Sequence, residues 1–272
     1  MIVVTGATGS IGRALTGLLP GEDVLAVSRK PADLGVRHAT GDFNTPETIG
    51  GLLSPGDRLF LNSSPFPRFA ETLNAVIDQA ARAGVAQIVS VSVRDAAVGA
   101  PLASGLHAEV DDHLRASGVP HAILQPTGFM QNLVTDLQDD RLHGSWGTGG
   151  MNYIDARDIA EVAAALLTRP VGESGTYVLT GPESPTHAEI AATMTEVLGR
   201  PIAYVDLPVP EMAARLAAGG LPERFAVELA TVQSGLSETG WAEVNTTVED
   251  VTGRPPRTLA AFLADHADTF NR

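Results

Sequence analysis

Gly6, Gly9 and Gly12 stand three residues apart, directly behind Ile2-Val3-Val4 and just ahead of the amphipathic stretch Arg13 to Leu19. β-Branched residues that run into glycines and then into helical periodicity specify a strand, a tight turn and a helix start. In such a turn Gly6 permits the sharp bend, Gly9 lets backbone N–H groups approach a diphosphate, and Gly12 lets the helix pack against the strand. The helix start adds unpaired N–H donors and partial positive charge. Thr5, Gly6, Thr8, Gly9, Ser10 and Ile11 are therefore the expected anion cradle of a dinucleotide.

About twenty residues further on, where the adenosine ribose of a dinucleotide is normally read, the run Val24-Leu25-Ala26-Val27 ends in Ser28-Arg29-Lys30-Pro31. An NAD site favours Asp or Glu at this point, whereas a hydroxyl and two cations suit a 2′-phosphate, so NADP is expected over NAD. A plain solvated loop is the alternative. Lys30 is the only lysine in the chain, which removes every mechanism that needs a second one. For proton transfer, His107 stands one helical turn before Asp111, and imidazole is a general acid near neutrality. The alternative is a solvated helix face shared with Glu109, Asp112 and His113. No further His or acidic cluster has ligand spacing, so no metal is expected.

These groups need a scaffold, and the hydropathy pattern describes one. After the first strand and helix come strands at Asp23 to Pro31, Val36 to Ala39, Arg58 to Pro65, Gln87 to Ser92 and Thr176 to Thr180. Helices are expected over Pro46 to Leu53, Phe69 to Ala83, Gly105 to Leu114, Phe129 to Leu137 and Asp158 to Leu167. That rhythm predicts an α/β fold with a doubly wound parallel (Rossmann) sheet, whose ligands sit at the carboxyl ends of the strands. Ser92, Asn62, Ser63, Pro126 and Thr127 fall at such ends and would frame the nicotinamide and the substrate oxygen. The expected division is a cofactor-binding domain over residues 1–150 and, over 151–272, a smaller substrate lobe interleaved with it.

In the second half, Thr186-His187-Ala188-Glu189 is a capping box that opens a helix. Leu142 to Gly150 is glycine-rich around a single indole, Trp146, and suits either a surface connection or a segment close to a ligand. Met212, Leu216, Leu221 and Phe225 surround the hinge Gly219-Gly220. They suit an apolar lid over an aromatic substrate or an ordinary helical core face. Phe129, Met130, Trp146, Met212 and Leu216 are the expected substrate contacts.

Composition narrows the partners. The 272 residues are 44% hydrophobic, enough for a sizeable core. A formal net charge of -14 and a pI near 4.8 argue against nucleic acid and anionic membranes. With Cys 0, disulfide and thiolate chemistry are excluded. No apolar run has the length of a membrane span and the first strand starts at once, so a cytoplasmic location is expected.

The spacing G-x-x-G-x-x-G with Thr5 before it resembles the extended and atypical branches of the short-chain dehydrogenase/reductase superfamily. That resemblance implies an adenine contact at Asp42-Phe43. It also implies a serine at the end of the fifth strand, matched by Ser92, working with Tyr and Lys four residues apart on the next helix. Here His107 and Asp111 stand at that spacing instead, and Tyr153, Tyr177 and Tyr204 have no lysine at i+4. With His107-Ala108-Glu109, Ser117-Gly118-Val119-Pro120, Leu124 to Asn132, Tyr153 to Ala160, Leu179 to Glu183 and Thr252 to Pro256, the chain resembles the NmrA-like atypical reductases.

That group includes quinone reductases, tailoring ketoreductases of aromatic polyketide pathways, and cofactor-binding regulators. Hydride addition to a plain ketone leaves an alkoxide that needs an acid, whereas a quinone or enone leaves a delocalised anion that does not. The resemblance and the absent Tyr–Lys pair together imply an NADPH-dependent reductase of an activated carbonyl or quinone in an aromatic or polycyclic small molecule. His107 and Ser92 are the candidate catalytic residues. The alternatives are an NAD(P)H:quinone oxidoreductase and a redox sensor that binds NADP without turning it over.

Overall fold

The computed structural model describes residues 1–64, 67–239 and 241–270. In chain order its elements are β1 (Ile2–Val4), α1 (Ser10–Gly17), β2 (Val24–Ser28), β3 (Arg37–Thr40), α2 (Glu47–Gly50), β4 (Arg58–Leu61), α3 (Phe69–Ala83), β5 (Gln87–Val91), α4 (Leu102–Ala116) and β6 (His121–Pro126). There follow β7 (Gly128–Phe129), a 3-10 turn (Met130–Asn132), α5 (Leu133–Asp136), β8 (Leu137–Gln138), β9 (Arg141–Gly144), β10 (Tyr153–Ile154), α6 (Ala156–Thr168) and β11 (Gly175–Leu179). The chain ends with α7 (His187–Leu198), β12 (Ala203–Asp206), α8 (Val209–Ala218), α9 (Glu223–Thr239), α10 (Thr247–Thr252), α11 (Leu259–Asp265) and α12 (Ala267–Phe270). No described helix is long and apolar enough to cross a membrane.

Contacts divide the chain into two compact units. The first comprises Met1–Pro126, Ala156–Leu179 and Thr247–Gly253; the second comprises Thr127–Asp155, Thr180–Thr246 and Arg254–Arg272.

The first unit is built on a seven-stranded, all-parallel sheet in the order β11-β6-β5-β4-β1-β2-β3. Val3, Val4, Leu59, Phe60, Ile88, Val89, Ile123 and Leu124 are fully buried, as strands covered on both faces require. Phe69, Leu73, Val76 and Ile77 of α3 and Val110 and Leu114 of α4 join Val3, Leu59, Ile88 and Ile123 in one apolar cluster. Each such side chain contributes about 1.5–3 kcal/mol on leaving water. The winding direction reverses between β1 and β4, and in this architecture that reversal opens the ligand crevice at the strands' carboxyl ends.

The second unit has a parallel pair, β7 with β10, and a three-stranded sheet in the order β12-β9-β8. Its core gathers Met130, Leu133, Leu142, Met151, Tyr153, Ile190, Met194, Phe262 and Leu263.

Several boundaries differ from the hydropathy pattern for local reasons. Phe129 is extended rather than helical because β7 pairs with β10, so the expected helix over Phe129 to Leu137 shrinks to a 3-10 turn and α5. The fourth strand stops at Leu61, where the polar residues Asn62 to Ser64 leave the ladder; Pro65 lies outside the described residues. The break at Gly219 to Pro222 does separate two helices, α8 and α9.

Candidate functional site

The turn after β1 is fixed by one hydroxyl. Thr5 Oγ1 donates to the Phe60 carbonyl at 2.9 Å and accepts from the Asn62 N–H at 2.9 Å, which ties the ends of β1 and β4 together. Gly6 turns the chain with φ +61, and a Cβ there would lie 2.5 Å from the Asn62 carbonyl oxygen. A Cβ on Gly12 would collide with the Gly6 carbonyl, so α1 rests directly on the turn.

Gly9 is different: a Cβ would meet only the Gly6 carbonyl oxygen, at 3.4 Å. The fold does not demand that glycine, and it stands exposed at the start of α1 between exposed Thr8 and Ser10, with Ile11 buried behind. The cap of α1 carries no side-chain acceptor and its first turn no acid. By contrast α7 has a complete capping box, Thr186 with Glu189. An uncapped, carboxylate-free helix start behind a glycine that the packing leaves free fits a diphosphate.

At the end of β2, Arg29 and Lys30 are exposed and neither pairs with a described acid. Ser28 Oγ donates to the Lys30 carbonyl at 2.7 Å and lies 2.8 Å from His38 Nε2. The hydroxyl therefore shapes the loop that carries the two cations. Asp42 folds back on its own turn, accepting from Asn44 N–H at 2.9 Å, while Phe43 packs against the core of the first unit. Ser63 Oγ donates to the Ser64 carbonyl.

At the carboxyl end of β5, Ser92 Oγ donates to Asp111 Oδ2 at 2.7 Å, and Gln125 Nε2 donates to the same oxygen at 3.2 Å. Burial pushes the Asp111 carboxyl up, against those two hydrogen bonds and nearby Arg115. No hydrogen bond joins Asp111 to His107. The His107 ring instead lies edge-on to Phe69, centroids 4.8 Å apart, with Nδ1 buried and unpartnered. Burial pushes its pKa down to about 4.

Pro126 closes β6 and accepts from the Arg94 N–H at 2.9 Å. Thr127 opens the second unit, where its hydroxyl donates to Asn152 Oδ1 at 2.8 Å. Asn152 was not singled out from the sequence, yet it is fully buried and its amide serves four further partners: Gly181 N–H, the Gly181 and Glu183 carbonyls and Ser184 Oγ. Its one signal is that it is the sole amide in the otherwise apolar run Met151 to Ile154.

Of the expected substrate contacts, Met130 belongs to the second unit's core, Phe129 and Trp146 are half-buried, and Met212 packs with Ala213 and Ala230, Leu216 lying against them. Trp146 lies flat on His187, centroids 4.6 Å apart and planes 7° from parallel. Its loop is strapped down, because Trp146 N–H donates to Tyr204 Oη at 2.9 Å and Gly147 N–H to Asp206 Oδ1 at 2.9 Å. Among the described residues no group of three or more His, Cys, Asp or Glu could hold a metal.

A model of the NmrA-like family matches residues 1–263. This chain belongs to that family. The NmrA-like chain is 34% identical to an NAD(P)H azoreductase of Xenophilus azovorans, over 99% of each chain. It is 32% identical to a (4-alkanoyl-5-oxo-2,5-dihydrofuran-3-yl)methyl phosphate reductase of Streptomyces griseus, again over 99% of each. Among solved structures it resembles the NADPH complex of the quinone oxidoreductase QOR2 of Escherichia coli, with a TM-score of 0.86, 26% identity and 100% of each chain covered.

Proposed function

We propose that this NmrA-like protein is an NADPH-dependent reductase that passes hydride to an activated acceptor, a quinone or an activated carbonyl in an aromatic, polycyclic small molecule. The uncapped start of α1 and Gly9 hold the diphosphate, and Arg29 and Lys30 hold the 2′-phosphate. When bound, NADPH supplies the hydride. The relatives support an oxidoreductase, since they are named for azo, quinone and furanone-type substrates.

The observation that carries the choice of acceptor is at the end of β5. Ser92 donates its hydroxyl hydrogen bond to Asp111, and the helix that follows offers no tyrosine–lysine pair. His107 is neutral above about pH 4 and holds no imidazolium proton to give at neutral pH. An acceptor that spreads its negative charge needs none. Aromatic ketones of the polyketide kind, whose own phenol neighbours the carbonyl, meet the same condition.

NADPH oxidation against naphthoquinones, azo dyes, a hydroxylated anthraquinone-type ketone and cyclohexanone tests the reading. Turnover of the activated acceptors with silence on cyclohexanone is expected. Cyclohexanone reduced at a comparable rate would overturn it, and silence across the panel with NADPH bound would favour the sensor.

A further inference from the structure

The loop that carries Arg29 and Lys30 is tied down at its root, and one of the ties comes from a histidine of the neighbouring strand. β2 ends on Ser28, whose carbonyl accepts from Gly41 N–H at 3.2 Å. Its hydroxyl lies 2.7 Å from the Lys30 carbonyl and 2.8 Å from His38 Nε2. His38 is half-buried in β3, the edge strand of the sheet, in parallel register with Ala26, as Thr40 is with Ser28. Side chains two apart share a face of a strand. Ser28 and His38 therefore stand on the same side of the sheet, and the imidazole leans along the strand to reach the hydroxyl.

Counting hydrogens assigns the tautomer. A serine hydroxyl brings one hydrogen and two lone pairs, whereas a carbonyl oxygen only accepts. The Ser28 hydrogen goes to the Lys30 carbonyl, so Nε2 must bring a hydrogen of its own and donate to Ser28 Oγ. A bare Nε2 would set two lone pairs against each other at 2.8 Å. The hydrogen bonds then run in one direction, from Nε2–H to Oγ–H to the Lys30 carbonyl, and each polarises the next. No carboxylate among the described residues competes for the ring: Arg37, beside His38, pairs with Asp23, and Asp33 accepts from Gly35 N–H within the loop.

Resting on the 2′-phosphate assignment above, we propose that His38 is a specificity-determining positioning residue. As the Nε2–H tautomer it fixes Ser28 and, through Ser28, the loop on which Arg29 and Lys30 meet the 2′-phosphate. A loop already held in its binding shape avoids the cost of ordering when the ligand arrives. NAD has no 2′-phosphate for the two cations, so the gain belongs to NADP.

Calorimetric titration of NADP⁺ and NAD⁺ against the full chain tests this. The parent is expected to prefer NADP⁺, and His38→Leu should lower the NADP⁺/NAD⁺ affinity ratio about threefold to tenfold, as loss of one hydrogen bond would. His38→Gln brings an amide N–H to the position of Nε2 and should restore the ratio to within about twofold of the parent's. Ser28→Ala should lower the ratio as His38→Leu does, and combining the two should add less than about twofold, because both cut the same chain of hydrogen bonds. Thermal melts check that each variant folds. Failure of glutamine to rescue, or losses that add in the double variant, would overturn the proposal. So would nitrogen NMR that finds His38 of the parent as the Nδ1–H tautomer, with no variant needed. A parent preference for NADP⁺ that His38→Leu keeps in full sinks this inference alone, whereas a parent that binds both nucleotides equally sinks the 2′-phosphate assignment beneath it.

Discussion

Ser92 Oγ and Asp111 Oδ2 are 2.7 Å apart, and the other Asp111 oxygen is buried with no partner at all. Burial outweighs the hydrogen bonds from Ser92 and Gln125, so the folded carboxyl holds its proton more tightly than the unfolded one. The folded state then binds more protons, and stability falls as pH rises above the unfolded value of about 4 and through the raised folded value. Asp111→Asn removes that penalty. Its Tm relative to the parent's should be higher at about pH 8 than at about pH 4, the unfolded value; a relative Tm that falls over this range would mean the native carboxylate is stabilised, contrary to the burial.

His107 gives the second prediction. Removing a working general acid costs about 10²–10⁴-fold in rate. A neutral imidazole edge-on to Phe69 is not that acid. His107→Phe should keep naphthoquinone turnover within about threefold, against the 10²-fold or greater loss a general acid would show. A loss of that larger size, at unchanged Tm, would restore the histidine to the mechanism.

Two glycines of one turn should part company. Gly12→Ala drives a methyl into the Gly6 carbonyl, and overpacking of this kind costs about 1–3 kcal/mol. Gly9→Ala meets nothing closer than 3.4 Å, so stability should change by less than about 1 kcal/mol while NADPH affinity drops about tenfold or more. Denaturant melts and NADPH calorimetry on both variants decide it. Unchanged NADPH affinity in Gly9→Ala would move the diphosphate away from this turn.

How much of this was legible beforehand depends on the range of the interactions. β1, the glycine turn and α1 are local, and strand hydropathy plus three spacings specified them. The same holds for the capping box at Thr186 and Glu189. The short strand at Gly128–Phe129 was not legible, because its reason is a partner, Tyr153–Ile154, some twenty-five residues on. Nor was the role of Asp111: spacing on α4 pointed to His107, whereas tertiary packing gave Ser92 and Gln125, from two different strands' ends, as its partners. Asn152 stayed invisible for a like reason, since a lone polar residue announces neither its burial nor its neighbours.

The cofactor preference is tested at the end of β2. Arg29 and Lys30 are exposed cations with no described acid beside them, and a charge-assisted hydrogen bond contributes about 1.5–3 kcal/mol. Arg29→Ser and Lys30→Ala should each weaken NADPH by about tenfold or more and leave NADH nearly untouched. Parallel losses for both nucleotides would place the 2′-phosphate elsewhere.

His187 ties acid stability to the second unit. It is 1% exposed, flat against Trp146, with Nε2 2.9 Å from Tyr153 Oη and Nδ1 buried without a partner. Burial lowers its pKa from 6.5 to about 3. Between those values the unfolded chain accepts a proton that the folded one refuses, so stability rises with pH across the window and is lost on acidification below 6.5. The loss runs at about 1.4 kcal/mol per pH unit. His107 adds to it in the same direction down to about 4. His187→Phe keeps a ring on Trp146 and removes the orphaned nitrogen, though Tyr153 loses its partner at a cost of about 1–3 kcal/mol. Its Tm should therefore sit below the parent's at neutral pH and fall less steeply between about pH 6.5 and 5. Parallel Tm curves would mean that the acid-sensitive proton belongs to another group.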